Sequence, residues 1–479
     1  MHASFAGSEP DTADGRLPRG SPTPSVTTRA FTALEDAIAH AERADGPMVM
    51  GFTLVLDAQL DVAALSTALG VIRTQFPMLA ARRESLRRWQ RWPRWSFDAP
   101  MPVVAVFGAD QLSGPDPLWG RWLAEPFPLE RGPLVRVGLA RGAAADTLLV
   151  AVHHAAVDGV GALILLQSLA SAYRGVVSLG TDDEVTVRGT VAAAVPGEGR
   201  ERGIEHRRGG AVVPPGRGGV LAVVRAPRAA RIRAAHPHKR VATTGATEAL
   251  PGHGVTHRWL DAGLTGELVA QARVMGVTVT DVLAGALHLA IAEWNGRENG
   301  LVTVTVPVRP PLGARGATDR GADPTTNRTL QVTTCTAAHH RLDPARCVVT
   351  VSGQVGLARI DGAAGAEPAA AGMLRFLPER WRRRVPAIGS RLTGDRFLAS
   401  SRLSNLGAVP AGSLCFGPVN TRHMGFSTPV RMPQGITLGV VGYDGRLDLA
   451  FRWCRPAFAA ADAEGFADIF EGALRRVCH

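Results

Sequence analysis

Lysine is nearly absent from this chain of 479 residues, because Lys239 is the only one and arginine carries almost all of the positive charge. Lysine and arginine together number 53 against 42 acidic residues, which gives a formal net charge of +11. Such an excess is one mark of nucleic-acid binding. Here the arginines are scattered and no nucleic-acid motif is present. The abundant Ala, Gly, Val and Arg indicate the coding bias of a GC-rich genome, so we expect no nucleic-acid partner.

Cysteine is sparse, and the cysteines are not spaced as they are in metal-binding or disulfide-bonded motifs. The chain has five cysteines, which are Cys335, Cys347, Cys415, Cys454 and Cys478. They are widely separated, and no C-x-x-C pair occurs. This spacing predicts neither a zinc ribbon nor a disulfide framework, and we expect no bound metal.

Long apolar runs are also missing from the sequence. No run reaches the ~18 to 20 residues that are needed to cross a bilayer. The N-terminus "MHASFAGSEPDTADGRLPRGSPTPS" lacks the apolar core of a secretory signal peptide. We therefore expect a cytoplasmic protein with no transmembrane segment.

The length of the chain predicts more than one hydrophobic core, since 479 residues exceed an ordinary domain. We predict a disordered tail at residues 1–27, a first lobe at 28–178, a crossover linker at 179–255 and a second lobe at 256–479. The linker is rich in Gly, Pro and Arg and has little periodicity. Strand and helix patterns alternate in both lobes, so the predicted fold class is α/β.

Several individual elements can be predicted inside the two lobes. The segments "PLVRVGLARG" and "DTLLVAVHH" are short apolar runs that predict two neighbouring antiparallel strands. The following "GVGALILLQSLASAYRG" predicts a helix that ends at Gly175. In the second lobe we predict a long apolar helix capped by Thr280 and a hairpin that turns at Asp444 and Gly445.

Three polar residues interrupt this apolar part of the first lobe. The segment "VHHAAVDG" contains His153, His154 and Asp158. Successive side chains of a strand point to opposite faces, so only one histidine can face a given cleft. Three hypotheses fit: satisfied polar groups with Asp158 as a helix cap, a metal site of two histidines and a carboxylate, or a general base poised near neutral pH. A Ser-His-Asp hydrolase does not fit, because no G-x-S-x-G elbow is present.

The setting of this motif resembles a known family. The string H-H-x-x-x-D-G, between a strand and an apolar helix of a two-lobed chain, resembles the condensation-domain-like acyltransferases, the HxxxD superfamily. The family includes chloramphenicol acetyltransferase, nonribosomal peptide condensation domains, polyketide-associated acyltransferases and wax ester/diacylglycerol synthases. Supporting matches follow in the same order over residues 28–479, and they include "VTVTDVLAGALHLAIAEW", "VTVTVPVRPP" and "SRLSNLG". The resemblance implies two chloramphenicol-acetyltransferase-like lobes that form a V, with the active-site tunnel between them.

The resemblance also implies a role for each residue of the motif. His154, the second histidine, would be the general base, and His153 would face away and support it. Asp158 would form a structural salt bridge with Arg309, which follows a strand of the second lobe. Gly159 would lie where the pantetheine-bearing channel passes close to the backbone.

Stabilisation of the oxyanion is harder to assign from the resemblance. No D-F-G-W-G segment, the second signature of many family members, is present, and "SRLSNLG" and "TRHMGF" stand in that region instead. This departure favours the branch of stand-alone acyltransferases. Ser404 and Asn405 are our candidates for the oxyanion donors, because "SNLG" would approach the site from the second lobe.

The implied reaction moves an acyl group from a pantetheine thioester to an alcohol or amine of a specialised metabolite or peptide intermediate. The co-substrate would be acyl-CoA or a phosphopantetheinyl carrier protein, with no tightly bound cofactor. The sequence contains neither a serine-bearing carrier motif nor an adenylation signature, so we expect a monomer that works in trans. The alternatives are a non-catalytic scaffold that binds carrier proteins, epimerisation of a carrier-bound aminoacyl group, and a wax ester/diacylglycerol-type lipid acyltransferase.

Overall fold

The computed structural model describes residues 28–42, 46–85, 92–113, 117–179, 240–245, 252–296, 300–308, 327, 330–360, 378, 381, 384, 399–455 and 457–479. The predicted tail at 1–27, most of the predicted linker at 179–255, and Arg309 lie outside the described residues. The proposed domain boundaries therefore stay predictions.

The strands, numbered in chain order, are β1 (Thr28–Ala30), β2 (Val49–Leu56), β3 (Arg82–Arg83), β4 (Arg94–Ser96), β5 (Val104–Gly108), β6 (Val135–Arg141), β7 (Asp146–His153), β8 (His253–Leu260), β9 (Val302–Val308), β10 (Leu330–Thr336), β11 (Ser401–Val409), β12 (Thr421–Ser427), β13 (Ile436–Tyr443) and β14 (Arg446–Cys454). The α-helices are α1 (Ala33–Ala41), α2 (Val62–Ile72), α3 (Leu118–Ala124), α4 (Gly159–Leu179), α5 (Ala262–Val274), α6 (Val279–Trp294), α7 (Ala338–Arg341), α8 (Pro344–Ile360) and α9 (Ala460–Cys478). Two short 3-10 helices lie at Pro77–Ala80 and Ala109–Leu112.

Two large sheets organise the described part of the chain. A five-stranded sheet has the order β12-β2-β7-β6-β5, and a six-stranded sheet has the order β10-β9-β11-β13-β14-β8. A small third sheet is ordered β1-β4-β3. Helices α2 and α4 pack with the first large sheet, whereas α6, α8 and α9 pack with the second. The predicted two-lobed α/β fold class is confirmed.

Strand β7 lies in the middle of the five-stranded sheet and is buried on both faces. Leu148 and Val150 belong to the core that contains α2 and α4, while Leu149 and Ala151 belong to the core that contains α3. All four side chains are at most 1% exposed. The apolar run that ends at His153 is therefore a central strand, paired antiparallel with β6 as predicted.

Helix α4 is the first-lobe helix that follows the motif, and it is longer than predicted. It continues to Leu179 instead of ending at Gly175. The physical reason is that Val176, only 1% exposed, packs in the core and stabilises a further turn.

By length and composition, α4 is also the single unbroken helix in the described residues that could cross a membrane. Its window Gly159–Ser178 has a mean hydropathy of 1.4, and 56% of that window is buried inside the protein. The pair α5 and α6 passes the same test jointly but is bent by 101°. Leu165, Leu166 and Leu169 belong to the same hydrophobic core as Leu148 and Val150 of β7, so the lobe core accounts for the apolarity of α4.

Two predictions in the second lobe have different outcomes. The hairpin between β13 and β14 is confirmed: Asp444 and Gly445 have φ angles of 50° and 74°, as a type I′ turn requires. The predicted cap of α6 is wrong, because Thr278 and not Thr280 caps the helix. The Thr278 hydroxyl accepts from Asp281 N at 3.2 Å, and the Asp281 carboxylate accepts from Thr278 N at 2.9 Å. This reciprocal pair leaves Thr280 available for other contacts.

The two halves of the chain are joined by more than their sequence connection. Strand β12 comes from the second half, yet it pairs antiparallel with β2 at the edge of the first sheet. Arg452 of β14 is fully buried and donates to the carbonyl oxygens of Val49 and Leu123 in the first lobe. These contacts bring the ends of β7 and β11 together, which is where the candidate site lies.

Candidate active site

His153 is the last residue of β7 and is completely buried in the first lobe. Its Nε2 atom lies 3.2 Å from Glu42 Oε2, at the end of α1. Its Nδ1 atom accepts a hydrogen bond from Ala155 N at 3.1 Å. Both ring nitrogens are therefore engaged inside the first lobe.

His154 follows in the turn between β7 and α4 and is partly buried. Its N–H donates to Met48 O at 2.7 Å, which fixes the turn against the chain that leads into β2. The amide of Asn327 donates to the His154 carbonyl oxygen at 2.8 Å, and Asn327 Nδ2 lies 3.2 Å from His154 Nδ1. The donor and acceptor roles of the two ring nitrogens depend on the tautomer, and the carboxamide of Asn327 lies on the Nδ1 side of the ring.

The electrostatic surroundings of His154 keep the ring neutral. Burial first, and then the positive charge of Arg402, lower the pKa of His154 from 6.5 to about 4. The negative charge of Asp158 and the bond to its own carbonyl act in the opposite direction, and the neighbouring His153 adds a smaller lowering effect. A histidine with this pKa is uncharged at neutral pH, so one of its two ring nitrogens has a lone pair that can accept a proton.

Asp158 caps the helix that follows the motif. Its side chain is 6% exposed, and Oδ1 accepts from Gly161 N at 2.8 Å in the first turn of α4. This is the cap described by the structural hypothesis, and it coexists with an effect of the carboxylate on the pKa of His154. The predicted salt bridge between Asp158 and Arg309 lies outside the described residues and stays a prediction.

Two cavities meet at His154. The first, of about 760 Å³ including space open to solvent, lies between α1 and the segment that follows β12, and it is lined by Leu34, Ile38, Met48 and Val430 among others. The second, of about 1160 Å³ on the same basis, lies against β11 and the start of α6. Three residues line both cavities, and these are His154, Gln331 and Arg402. Reactants that enter from the two sides would meet at the imidazole.

Gly159 lines the second cavity. A Cβ atom at Gly159 would lie 2.6 Å from Leu406 Cδ2, closer than van der Waals contact allows. The lack of a side chain therefore also lets α4 begin directly beneath β11. Gly159 thus has a packing reason in addition to the predicted clearance for a pantetheine arm.

Ser404 and Asn405 also line the second cavity, from β11. Asn405 Nδ2 donates to Thr280 Oγ1 at 3.1 Å, and Asn405 Oδ1 accepts from Gly407 N at 2.8 Å. The carboxamide of Asn405 is therefore largely engaged inside the second lobe. Neither Ser404 nor Asn405 lines the first cavity. The role of these two residues as oxyanion donors stays a prediction.

Sequence reasoning missed three residues that the structure places beside His154, namely Asn327, Gln331 and Arg402. One signal was available for Arg402, because it lies two positions before Ser404 in "SRLSNLG" and so shares its face of the strand. Gln331 and Asn327 carried no such signal. Their proximity depends on how β10, β9 and β11 pair, and these strands are far apart in the sequence.

The metal hypothesis finds no ligand set in the part of the chain that the structure describes. No group of three or more His, Cys, Asp or Glu residues in that part is arranged to hold a metal ion. The other two residues of that hypothesis are engaged elsewhere, since Asp158 Oδ1 caps α4 and both ring nitrogens of His153 have partners inside the first lobe.

Comparison with known proteins agrees with this geometry. Residues 49–180 match the Condensation domain family, and this segment contains β2, β7, the histidine motif and α4. An uncharacterised protein of Mycobacterium tuberculosis is 27% identical over 399 residues, covering 83% of this chain and 87% of that protein.

Two solved structures share the fold over nearly the whole chain. Polyketide synthase associated protein 5 from Mycobacterium tuberculosis has a TM-score of 0.62 at 15% identity, covering 94% of this chain and 98% of that one. The epimerization domain from the third module of tyrocidine synthetase B has a TM-score of 0.61 at 15% identity, covering 94% and 96%. The resemblance drawn from the histidine motif is confirmed: residues 49–180, which include His154, match the Condensation domain family, and the chain has the two-lobed fold of condensation domains.

Proposed function

We propose that this protein transfers an acyl group from a pantetheine thioester to an alcohol or an amine, with His154 as the general base. The observation that carries the proposal is a neutral, fixed imidazole at the point where two cavities meet. An acyl transfer between two separate substrates needs this arrangement, because each reactant must approach the other from its own side.

The reaction needs no covalent nucleophile from the protein, since a thioester is already activated. The acceptor oxygen or nitrogen attacks the thioester carbonyl carbon, and the unprotonated ring nitrogen of His154 removes the acceptor proton as the new bond forms. The tetrahedral intermediate then expels the thiolate, which takes the proton back from the imidazolium. A positioned base of this kind contributes about 10²–10⁴-fold to the rate.

The surrounding residues support this role in different ways. Asn327 and the backbone contact to Met48 hold the imidazole and its carbonyl in place. Asp158 fixes the start of α4 and partly offsets the positive charge of Arg402 at the ring. His153 and Glu42 tie the end of β7 to α1, so the turn that carries His154 rests on two elements.

The donor is either acyl-CoA or an acyl group on a carrier protein, which is the form of substrate on which condensation domains work. The acceptor is a specialised metabolite or peptide intermediate with a free hydroxyl or amine. We propose that the chain works in trans as a monomer and in the cytoplasm, and that it needs no resident cofactor. Lipid ester formation remains the alternative if the acceptor is a long-chain alcohol.

The test is incubation of the purified protein with acyl-CoA donors of increasing chain length, acyl-N-acetylcysteamine thioesters and acylated carrier proteins, each with alcohol and amine acceptors. Mass spectrometry detects the product, and a thiol reagent detects the released thiol. We expect product with at least one donor class, and loss of at least 100-fold in rate for His154→Ala. His339→Ala is the matched control, because His339 is exposed on α7 and should leave the rate unchanged.

Other outcomes distinguish the alternative functions. Full activity of His154→Ala would contradict the assignment of the base. Deuterium uptake at the α-carbon of a carrier-bound aminoacyl group, without acyl transfer, would indicate epimerisation. Binding of carrier proteins with no product from any donor would favour a scaffold.

A further inference from the structure

The junction of the two cavities contains one cationic and one amide side chain besides His154, and the proposed reaction has so far given them no role. Arg402 and Gln331 are both partly buried, and both line each cavity. The side-chain amide of Gln331 has no hydrogen-bond partner among the residues that the structure describes.

The strand pairing explains why these two side chains converge. Arg402 of β11 is opposite Thr305 of β9, and Thr305 is opposite Thr333 of β10. Gln331 lies two residues from Thr333 and therefore on the same face of the sheet. Strand spacings of about 4.8 Å and a rise of about 3.3 Å per residue place the Cα atoms of Arg402 and Gln331 about 12 Å apart. Two long side chains can meet a single atom across that gap.

We propose that Arg402 and Gln331 bind the thioester oxygen and stabilise the negative charge that it acquires in the tetrahedral intermediate. The inference rests on the proposed acyl transfer and adds two catalytic residues to it. As the acceptor attacks, the carbonyl π pair moves to this oxygen while the proton moves to His154. The oxyanion then lies beside the guanidinium, and its negative charge also offsets the positive charge of the imidazolium.

Two features of the site favour this assignment over Ser404 and Asn405. A donor to the oxyanion must face the point where both reactants meet, and Ser404 and Asn405 line the second cavity alone. The carboxamide of Asn405 is also engaged with Thr280 and Gly407. Arg402 is partly buried and supplies a full positive charge at the point where both cavities meet.

The kinetic test compares Arg402→Met, Arg402→Lys and Gln331→Met with the wild-type protein. We expect Arg402→Met to lower kcat about 10²–10³-fold with little change in KM, and Arg402→Lys to recover part of the loss because the charge remains. Gln331→Met should lower kcat by about tenfold, as expected for one neutral donor. Arg475→Met is the control, since Arg475 is 53% exposed on α9 and pairs with Glu471.

The pH dependence of kcat distinguishes a catalytic role of Arg402 from a purely structural one, because a structural role would leave the pKa of His154 unchanged. Removal of the Arg402 charge should raise the pKa of His154, so the acidic limb of kcat should move to higher pH in Arg402→Met and not in Arg402→Lys. The assignment would be wrong if Arg402→Met changed only KM. It would also be wrong if, at a pH above the His154 pKa of both proteins, Arg402→Met had the same kcat as the wild-type protein.

A spectroscopic experiment separates failure of this inference from failure of the proposed function. Octanoyl-CoA labelled with ¹³C at the thioester carbonyl is bound to His154→Ala, which should not turn over, and the carbonyl stretch is recorded by difference infrared spectroscopy. We expect a shift to lower frequency that disappears in His154→Ala/Arg402→Met. If the thioester binds but its carbonyl frequency is the same with and without Arg402, the inference is wrong and the proposed function is unaffected. If neither octanoyl-CoA nor an octanoylated carrier protein binds, both the inference and the proposed donor are wrong.

Discussion

The protonation state of His154 can be measured directly and needs no knowledge of the substrate. Burial and the charge of Arg402 lower the pKa of His154 from 6.5 to about 4. At pH 5 a histidine with a pKa of about 4 is about 90% neutral, whereas one with the ordinary value would be about 3% neutral. The difference between the two pKa values corresponds to about 3 kcal/mol in favour of the neutral ring.

The assay is an NMR titration of the protein labelled with ¹³C at histidine Cε1, between pH 8 and the lowest pH at which the fold persists. The His154→Gln variant assigns the resonance, because the sequence has 14 histidines. We expect the His154 signal to keep its neutral position down to pH 5 and to move only near pH 4. A midpoint at pH 6 or above would refute the argument that burial and Arg402 keep the base neutral.

The same lowered pKa has a consequence for stability, and its sign follows from linkage. Because the folded-state pKa lies below the unfolded-state value of 6.5, the contribution of His154 is fully present above pH 6.5 and is lost as the pH falls towards 4. At pH 5 the loss amounts to about 2 kcal/mol. The free energy of unfolding of His154→Gln should therefore fall less between pH 7.5 and pH 5 than that of the wild-type protein.

Three further predictions concern residues that hold the site in place. Asn327→Ala should lower kcat by about 10–100-fold and leave the melting temperature nearly unchanged, because the amide orients His154; equal loss of stability and activity would contradict a positioning role. Arg452→Met should lower the free energy of unfolding by about 2–4 kcal/mol in a denaturant titration, since the carbonyls of Val49 and Leu123 lose their buried donor; an unchanged midpoint would contradict this. Thr278→Ala should cost about 1 kcal/mol by thermal unfolding through loss of the α6 cap, whereas Thr278→Ser, which keeps the capping hydroxyl, should not.

The parts of the fold that depend on local pattern could be predicted from the sequence. Two short apolar runs predicted β6 and β7 as antiparallel neighbours, and Asp444 with Gly445 predicted the final hairpin. The boundaries were less accurate because tertiary packing decided them. Burial of Val176 extends α4 beyond Gly175, which has no positive φ angle to end the helix.

The candidate site was only half predictable for the same reason. His153, His154 and Asp158 are adjacent in sequence, so their motif could be recognised directly. Arg402 and Gln331 reach the site through the order β10-β9-β11, which a single sequence does not reveal. Asn327 lies 173 residues from His154 along the chain and touches it through one amide. Long-range pairing, and not residue chemistry, set the limit of prediction.

The contacts around His154 also bear on how substrates enter. Its backbone is held by Met48 from the first lobe, while Asn327 and Arg402 reach it from the second half of the chain. Strand β12 covers an edge of β2 that would otherwise expose unpaired backbone groups, so separation of the lobes would uncover a strand edge. Separation would also remove the buried Arg452 from its two carbonyl acceptors. We therefore expect reactants to reach the base through the two cavity mouths with the lobes joined, which keeps His154, Arg402 and Gln331 in one fixed arrangement throughout the reaction.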